Sequence, residues 1–206
     1  MIYFIVTTCV FDDCLIRKQQ YMSSITKLQN RIIELNIENT KIVIVENNGP
    51  RYTYLDGLKD ELFYTNNNMR FTYNKGNKEL HDVFDCINKY NIQDTDLIVK
   101  ITGRYFLNDD SKFMNVLQKI DQTKYECIIR YGSYMEPAKM EKMDDCITGL
   151  IAMTCRYVKQ IEPPNEWECV EWKWAIASKI IPDEKVCILN ELGINICPGS
   201  NDYFLV

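Results

Sequence analysis

The chain has 206 residues, of which 46% are hydrophobic and 26% are charged, a composition typical of one globular domain with a sizeable core. The formal net charge of −5 excludes the broad basic surface of a general nucleic-acid-binding protein. No apolar run reaches the length of a membrane span, and nine cysteines without a C-x-x-C pair indicate buried thiols in a reducing, cytoplasmic compartment.

Short apolar runs alternate with helical patterns through the first half of the chain. Residues 2–8 predict a first strand and not a signal peptide, and residues 17–37 carry apolar side chains at helical spacing. Residues 41–45 predict a second strand that ends in the turn sequence Asn48-Gly49. Further elements are predicted in order as a weak strand at 69–73, a helix at 80–87, a strand at 97–101, a helix at 113–120 and a strand at 125–130. This alternation is typical of a mostly parallel sheet with helices on both faces.

The second half of the chain is less regular. Residues 148–153 fit either a strand or the start of a helix. Apolar residues at helical spacing, two of them tryptophans, predict the last long helix: Trp167, Val170, Trp174, Ala177 and Ile181. Both tryptophans are therefore expected in the core. Residues 186–189 and 194–197 flank a turn at Gly193 and are predicted to form a hairpin.

The most informative segment is Asp96-Leu-Ile-Val-Lys-Ile-Thr-Gly-Arg-Tyr105, an apolar strand that ends in polar and basic residues. In open α/β sheets, ligands bind beyond the carboxyl ends of the strands. Lys100 interrupts the apolar run, and a buried ammonium needs an anion, which a nucleotide phosphate would supply. Gly103 would let the backbone approach such a ligand. The alternative is a strand end with a tight turn and Arg104 in a surface ion pair, and the sequence leaves both open.

Two further segments carry groups suited to a nucleotide. Glu46 ends the second strand, where a carboxylate can accept hydrogen bonds from a uracil or a ribose, although the Asn48-Gly49 turn needs no ligand. Asn77 is the predicted N-cap of the second helix, where Lys75 and Lys78 would attract an anion or belong to an ordinary solvated cap. The chain has no G-x-x-x-x-G-K and no G-x-G-x-x-G sequence, which excludes those two phosphate-binding loops.

Acidic residues supply candidate metal ligands and bases. Asp109 and Asp110 follow the expected ligand edge, and they could hold Mg²⁺ or Mn²⁺ or cap the third helix. Glu168 and Glu171 neighbour tryptophans, and a carboxylate beside an indole suits a sugar, although acids are equally typical of a first helical turn. His81 is the single histidine, which excludes a site with three histidine ligands and indicates a surface or packed residue.

Taken in chain order, four segments resemble the small glycosyltransferases of the GT-A architecture, particularly the compact ones of bacterial polysaccharide clusters and large DNA viruses. They are Thr7-Thr8, Val-Glu-Asn-Asn-Gly after the second strand, Asn-Lys-Gly-x-Lys-Glu before the second helix, and Lys-Ile-Thr-Gly-Arg-Tyr ending at Tyr105. The resemblance covers residues 1–110 by motif and the remainder by plan only. It implies an α/β fold, a Rossmann-type α/β/α sandwich with a mostly parallel central sheet and a mixed C-terminal part, in a single domain of residues 1–206.

By the same resemblance, residues 1–110 form a nucleotide-binding half and residues 111–206 an acceptor-side half. The implied reaction moves a sugar from a nucleotide-sugar donor, for preference a UDP-sugar, to a hydroxyl of a glycan or glycoprotein acceptor, with no nucleic-acid partner and no membrane span. The donor-binding residues carried over are Thr7, Thr8, Glu46, Gly76, Lys78, Lys100, Thr102, Arg104 and Tyr105. The general base is expected among Asp144, Asp145, Glu168 and Glu171.

The family's metal-binding D-x-D falls on Thr102-Gly103-Arg104, so this chain departs from the pattern. Lys100 and Arg104 could neutralise a diphosphate in place of a metal, and Asp109 or Asp110 could still bring Mn²⁺ or Mg²⁺ to the site. Two other functions stay open. A nucleotidyltransferase would normally carry a glycine-rich basic loop after the first strand, whereas residues 7–13 contain no glycine. A non-catalytic glycan- or protein-binding module would fit the missing D-x-D.

Overall fold

A large sheet and a small sheet organise the chain, for which the computed structural model describes residues 1–11, 14–58, 60–70, 74–197 and 203–206. Within these residues the strands are β1 (Ile2–Thr8), β2 (Thr40–Glu46), β3 (Glu61–Tyr64), β4 (Leu97–Thr102), β5 (Phe106–Leu107), β6 (Cys127–Ile129), β7 (Leu150–Thr154), β8 (Val186–Ile188), β9 (Ile194–Ile196) and β10 (Phe204–Leu205). The α-helices are α1 (Leu15–Glu34), α2 (Lys75–Lys89), α3 (Lys112–Leu117), α4 (Cys155–Val158) and α5 (Val170–Lys179).

The large sheet has seven strands in the order β3-β2-β1-β4-β7-β6-β8. Strands β3, β2, β1 and β4 are mutually parallel, whereas β7 runs antiparallel to both of its neighbours and β8 is parallel to β6. The small sheet, β10-β9-β5, is antiparallel throughout. The structure therefore confirms an α/β fold with a mostly parallel central sheet and a mixed C-terminal part.

Two hydrophobic layers cover the central sheet because successive side chains of a strand point to opposite faces. In β1, Phe4 and Val6 join the layer that contains Tyr21 and Leu28 of α1, together with α3. Ile5 of β1 joins the opposite layer. That second layer contains buried residues of α2, α4 and α5, namely Leu80, Val83, Cys155, Val158, Val170 and Trp174. All seven residues of β1 are buried, as expected for a central strand covered on both faces.

The strand order brings three carboxyl ends together. The chain leaves β1 toward β2 through α1 and later returns through α2 to β4 on the other side of β1, so the direction of winding reverses between β1 and β4. In register, Thr8 lies beside Glu46 of β2, and Thr7 lies beside Thr102 of β4. A reversal of this kind opens a crevice at the carboxyl edge of an α/β sheet, where ligands bind.

Periodicity located the buried strands well, and β1, β2, β4 and β6 all lie within two residues of their predicted bounds. Residues 148–153, which fitted either a strand or a helix, lie mostly in the strand β7. The predicted N-cap at Asn77 is wrong by three positions, because the Asn74 side chain accepts the Asn77 amide at 3.2 Å and α2 begins at Lys75. No described helix is long and apolar enough to cross a membrane.

Two expectations of the sequence differ from the structure, and a third falls mostly outside the described residues. The hairpin is wrong, because β8 pairs with β6 in the large sheet whereas β9 pairs with β5 and β10 in the small one. Trp174 is buried as expected, but Trp167 precedes α5 and is 89% exposed. For the weak strand at 69–73, residues 71–73 lie outside the described residues. The strand that pairs with β2 at that edge of the large sheet is β3, which the sequence did not reveal.

Gly76 shows how closely the two helices α2 and α5 approach. A Cβ atom added at Gly76 would lie 2.2 Å from Cγ1 of Val170. Gly76→Ala should therefore destabilise the protein, because overpacking costs about 1–3 kcal/mol and the gain in helix propensity, about 1 kcal/mol in a helix interior, is smaller at the second residue of α2. Urea unfolding measures the change.

The Val170→Ala background supplies the internal test of this contact. Shortening Val170 should remove most of the penalty of Gly76→Ala, which gives a coupling energy in a double-mutant cycle. Gly57→Ala is the matched control, since nothing lies within 4 Å of its added Cβ. An alanine at position 76 that leaves the free energy of unfolding unchanged would contradict the close approach.

Candidate functional site

Two adjoining clefts lie at the carboxyl edge of β1, β2 and β4. The first cleft, of about 300 Å³, is lined by Thr7, Thr8, Cys9, Phe11, Arg17, Tyr21, Asn47, Asn68, Lys75, Lys78, Glu79, Thr102 and Arg104. The second cleft, of about 560 Å³, adds residues of the C-terminal half that include Tyr134, Asp145, Glu171 and Trp172. Because Lys75, Glu79, Thr102 and Arg104 line both clefts, the two spaces are neighbours in one continuous crevice.

The first cleft is strongly cationic. Its described lining residues include four cations, Arg17, Lys75, Lys78 and Arg104, and one carboxylate, Glu79. Lys78 Nζ donates to the Asn68 carbonyl at 2.7 Å, and Arg104 Nη2 donates to the Cys197 carbonyl at 3.2 Å. Neither contact neutralises charge, so this cleft has the electrostatics of an anion-binding site.

Lys100 lines the second cleft and finds its anion within the protein. The side chain is 3% exposed and forms an ion pair with Glu79 of α2. Its Nζ also donates to Thr102 Oγ1 at 2.9 Å and to the Thr148 carbonyl at 2.8 Å. The charge that a buried ammonium requires is thus present without any ligand. Arg104 likewise forms no surface ion pair among the described residues, so neither sequence alternative describes this segment fully.

Gly103 is required for packing at the end of β1. A Cβ atom at this position would lie 2.9 Å from Thr8 Cγ2 and 3.0 Å from the Thr7 carbonyl oxygen. The Gly103 amide also donates to that carbonyl at 2.9 Å. The missing side chain is therefore required where β4 passes the end of β1. From the sequence alone, a glycine that is needed for packing cannot be distinguished from one that contacts a phosphate.

Glu46 organises the floor of the first cleft from beneath. Its carboxylate is fully buried and accepts a hydrogen bond from Thr8 Oγ1 at 2.7 Å. The backbone amides of Val10 and Asn48 donate to it at 3.0 and 3.2 Å. The carboxylate thus holds together the loops that follow β1 and β2. Thr7 and Thr8 line the cleft itself, as does the neighbouring Asn47.

A buried carboxyl that the sequence analysis missed lies beneath this floor. Asp82 of α2 has no exposed surface and accepts hydrogen bonds at 2.8 Å from Asn47, Thr65 and Asn67. Burial raises the pKa of Asp82 to about 7 despite these three donors. The one signal in the sequence is an acid on the apolar stripe of the second helix, next to His81.

The second cleft contains two of the four candidate bases. Asp145 accepts the Cys146 amide at 3.0 Å through Oδ1, and burial raises the pKa of this carboxyl above its ordinary value. Glu171 is a half-buried residue in the first turn of α5 and accepts a long hydrogen bond of 3.4 Å from Thr148 Oγ1. No described cation forms an ion pair with either carboxylate, so both are available to an incoming hydroxyl.

The other acidic candidates lie elsewhere. Asp144 is 84% exposed and pairs with Lys179, and Glu168 pairs with Lys173 at 2.8 Å. Asp109 is 84% exposed and pairs with Lys27 of α1. These residues and the exposed Asp110 are absent from the described linings of both clefts.

The described residues do not fit a divalent-metal site. No group of three His, Cys, Asp or Glu side chains among them lies close enough together to share an ion. At the end of β4 the cleft presents Thr102 and Arg104, and the neighbouring carboxylate Glu79 is already paired with Lys100. A cation that needs several carboxylate oxygens finds arginine and lysine side chains here instead.

Three aromatic side chains line the second cleft, and sequence periodicity did not predict that they would lie there. Tyr105 packs directly against Gly149, since an added Cβ at Gly149 would lie 2.3 Å from Tyr105 Cε2. Trp172 is 43% exposed and Tyr134 is 37% exposed. A helical pattern shows that a tryptophan belongs to α5, but it does not show whether the indole points to the core or to a cleft.

Neither a protein-family model nor a curated protein matches this sequence. Solved structures do match. Residues 1–349 of S. aureus TarS are similar over 99% of this chain and 60% of that chain, at 9% identity and a TM-score of 0.56. A candidate glucose-1-phosphate thymidylyltransferase from Bacillus anthracis, in complex with sucrose, is similar over 92% of this chain and 86% of that chain, at 9% identity and a TM-score of 0.59.

The mannosyltransferase PcManGT from Pyrobaculum calidifontis, in complex with GDP-Man and Mn²⁺, is similar over 92% of this chain and 56% of that chain, at 10% identity and a TM-score of 0.53. This chain thus spans about 60% of the TarS chain and about 56% of the mannosyltransferase chain. At such identities the likeness establishes the fold alone. That fold is the GT-A-like, Rossmann-type α/β/α sandwich that the resemblance implied.

The buried Asp82 predicts a pH dependence of stability. Its pKa is raised from 3.8 in the unfolded chain to about 7 in the folded one, so between these values the folded protein holds a proton that the unfolded chain has released. The free energy of unfolding should therefore fall as the pH rises from about 4 to about 7, by at most roughly 1.4 kcal/mol per pH unit. Asp82→Asn should remove this part of the slope, which urea unfolding at about pH 5 and about pH 8 measures.

An unpaired acceptor lies beside position 82 to receive the amide of this variant. Asn47 Oδ1 has no hydrogen-bond partner among the described residues, so rotation of that amide would let it accept from the amide introduced at position 82. Asp144→Asn is the control, since its side chain is 84% exposed. Equal pH slopes for the wild type and Asp82→Asn would overturn the assignment.

Proposed function

We propose that this chain is a glycosyltransferase that transfers a sugar from a nucleotide-sugar donor to a hydroxyl of a glycan or glycoprotein. One observation carries the proposal, which is the difference in charge between the two clefts. The first cleft has four cations and one carboxylate, whereas the second has three of each. A nucleoside diphosphate matches the first cleft, and the neutral sugar and acceptor match the second.

The positions of the lining residues support nucleotide binding by the first half of the chain and acceptor binding by the second half. Every described residue of the first cleft lies between Thr7 and Arg104, within the half that the sequence assigned to the nucleotide. The second cleft adds residues from Ser133 to Cys197 of the acceptor-side half. The reversal of winding between β1 and β4 lies directly beneath the first cleft, where α/β folds bind nucleotides.

In the proposed reaction, Asp145 or Glu171 takes the proton of the acceptor hydroxyl. The hydroxyl oxygen attacks the anomeric carbon, the bond between that carbon and the diphosphate oxygen breaks, and the nucleoside diphosphate leaves with the electron pair. Lys75, Lys78 and Arg104 offset the charge that develops on the leaving group. This is an inverting displacement, which needs a single base.

Nucleotide binding is the direct test of the cationic cleft. Calorimetric titration with UDP, GDP and CMP in EDTA should show a nucleoside diphosphate bound without added metal, with UDP as the preferred one. Arg104→Gln and Lys75→Gln should each weaken binding by about tenfold, because each removes a charge-assisted contact.

Lys27→Gln is the matched control for these variants, since Lys27 pairs with Asp109 and is not among the described lining residues of either cleft. Its affinity should equal that of the wild type. A diphosphate that binds only when Mn²⁺ is present would contradict the cationic mechanism. No binding of any nucleotide would contradict the proposed function.

The choice of base is tested by four isosteric variants. Of Asp145→Asn and Glu171→Gln, the variant that removes the general base should lower turnover by about 10²–10⁴-fold, and the other should have a smaller effect. Asp144→Asn and Glu168→Gln should retain activity, because both carboxylates are engaged in ion pairs outside the clefts. Full sugar transfer by both Asp145→Asn and Glu171→Gln would remove the assignment.

A nucleotidyltransferase is the second candidate, supported by the likeness to the candidate thymidylyltransferase over 86% of that chain. Against it stands the loop after β1, which has no glycine in residues 7–13. The two activities differ in their products. Release of pyrophosphate from a nucleoside triphosphate and a sugar phosphate would favour the nucleotidyltransferase, and release of a nucleoside diphosphate would favour the glycosyltransferase.

A further inference from the structure

Trp172 presents a large apolar surface to the second cleft. On the same helix, Val170 lies two positions before Trp172 and Trp174 lies two positions after it, and both are only 1% exposed. Trp172 in contrast keeps 43% of its surface exposed and lines the cleft next to Glu171. An indole left out of the core forgoes hydrophobic burial, and an exposed aromatic ring in a concave polar site is typical of ligand contact.

Tyr134 lines the same cleft, and its ring is held in place. The Tyr134 ring packs against Phe204 with centroids 5.8 Å apart and planes tilted by 50°. Tyr134 itself is 37% exposed. A ring fixed by a neighbouring ring loses little side-chain entropy when a ligand packs on it.

The polar groups around these rings indicate an uncharged ligand. The second cleft contains three carboxylates, Glu79, Asp145 and Glu171, and three cations, Lys75, Lys100 and Arg104. A cationic peptide would meet the lysines and the arginine, and an anionic one would meet the carboxylates. A pyranose ring carries no charge, stacks its C–H face on an aromatic ring and donates hydroxyl protons to carboxylates.

We propose that Trp172 and Tyr134 form a stacking platform for a neutral pyranose ring of a glycan acceptor, with its hydroxyls directed toward Asp145 and Glu171. This inference builds on the proposed function, because it names the acceptor class of the same site. It assigns the specificity for the acceptor to α5 and to the segment after β6, and not to the nucleotide-binding half.

Tryptophan fluorescence tests the platform without requiring turnover. The chain has three tryptophans, Trp167, Trp172 and Trp174, and Trp167→Phe removes the most exposed of them. In that background, titration with cellobiose, chitobiose, lactose, maltose and mannobiose should change the emission with at least one disaccharide. Trp172→Ala should abolish this response and, by saturation-transfer NMR, weaken binding at least tenfold. Trp172→Phe also removes the reporting indole, but it should retain part of the affinity measured by NMR.

Trp167→Ala is the matched control, since Trp167 is 89% exposed and is not among the described lining residues of the second cleft. It should bind the same disaccharide as the wild type. UDP titration of each variant shows that the protein is folded, because the first cleft governs that affinity. Tyr134→Ala should weaken disaccharide binding in the same direction as Trp172→Ala.

The outcomes separate this inference from the proposed function. If UDP binds but no probe disaccharide responds to Trp172→Ala, or if only Ser- or Thr-containing peptides bind, the platform is wrong and the transferase stands. If disaccharides bind through Trp172 but no nucleotide binds, the proposed function is wrong and the chain is a glycan-binding module. Equal effects of Trp167→Ala and Trp172→Ala would also overturn the platform.

Discussion

The ion pair between Lys100 and Glu79 is the interaction on which the arrangement of the site depends. A lysine in a central strand, 3% exposed, must meet a negative charge, and Glu79 of α2 supplies it. The same ammonium donates to the Thr148 carbonyl, which precedes β7. One buried charge therefore connects α2, β4 and the approach to β7, and these are the elements that form the boundary between the two clefts. Losing Glu79 would leave the Lys100 ammonium buried and uncompensated.

The residues that line only one cleft produce the charge difference between them, and this pairing increases it in the first cleft. Because Glu79 is occupied by Lys100, the cations Arg17, Lys75, Lys78 and Arg104 face the first cleft without a free carboxylate among its described lining residues. The unpaired carboxylates Asp145 and Glu171 come from the second half of the chain and lie at the other end of the crevice. A transferase needs this separation, because leaving-group charge is stabilised by cations and a general base must stay unpaired.

The sequence predicted the strands and the edge at which they end, because burial on both faces produces continuous apolar runs in β1, β2 and β4. It also predicted that Lys100 needs an anion. It could not identify Glu79, since the partner of a buried charge depends on how a helix packs on the sheet. Among the described residues, Asp144 forms an ion pair and Asp145 does not, and Trp174 is buried whereas Trp172 is exposed. Both differences likewise arise only when the chain packs. The false hairpin at β8 and β9 has the same origin, because a turn does not specify which sheet each arm joins.

The contact between Tyr105 and Gly149 has a consequence for how this site can change in evolution. With an added Cβ only 2.3 Å from Tyr105 Cε2, a side chain at position 149 and an aromatic ring at position 105 exclude one another. Homologous sequences that keep the tyrosine must keep the glycine, and those that lose the ring regain freedom at position 149. The two positions should therefore covary, and a lineage that alters the shape of the crevice there must pass through two linked substitutions.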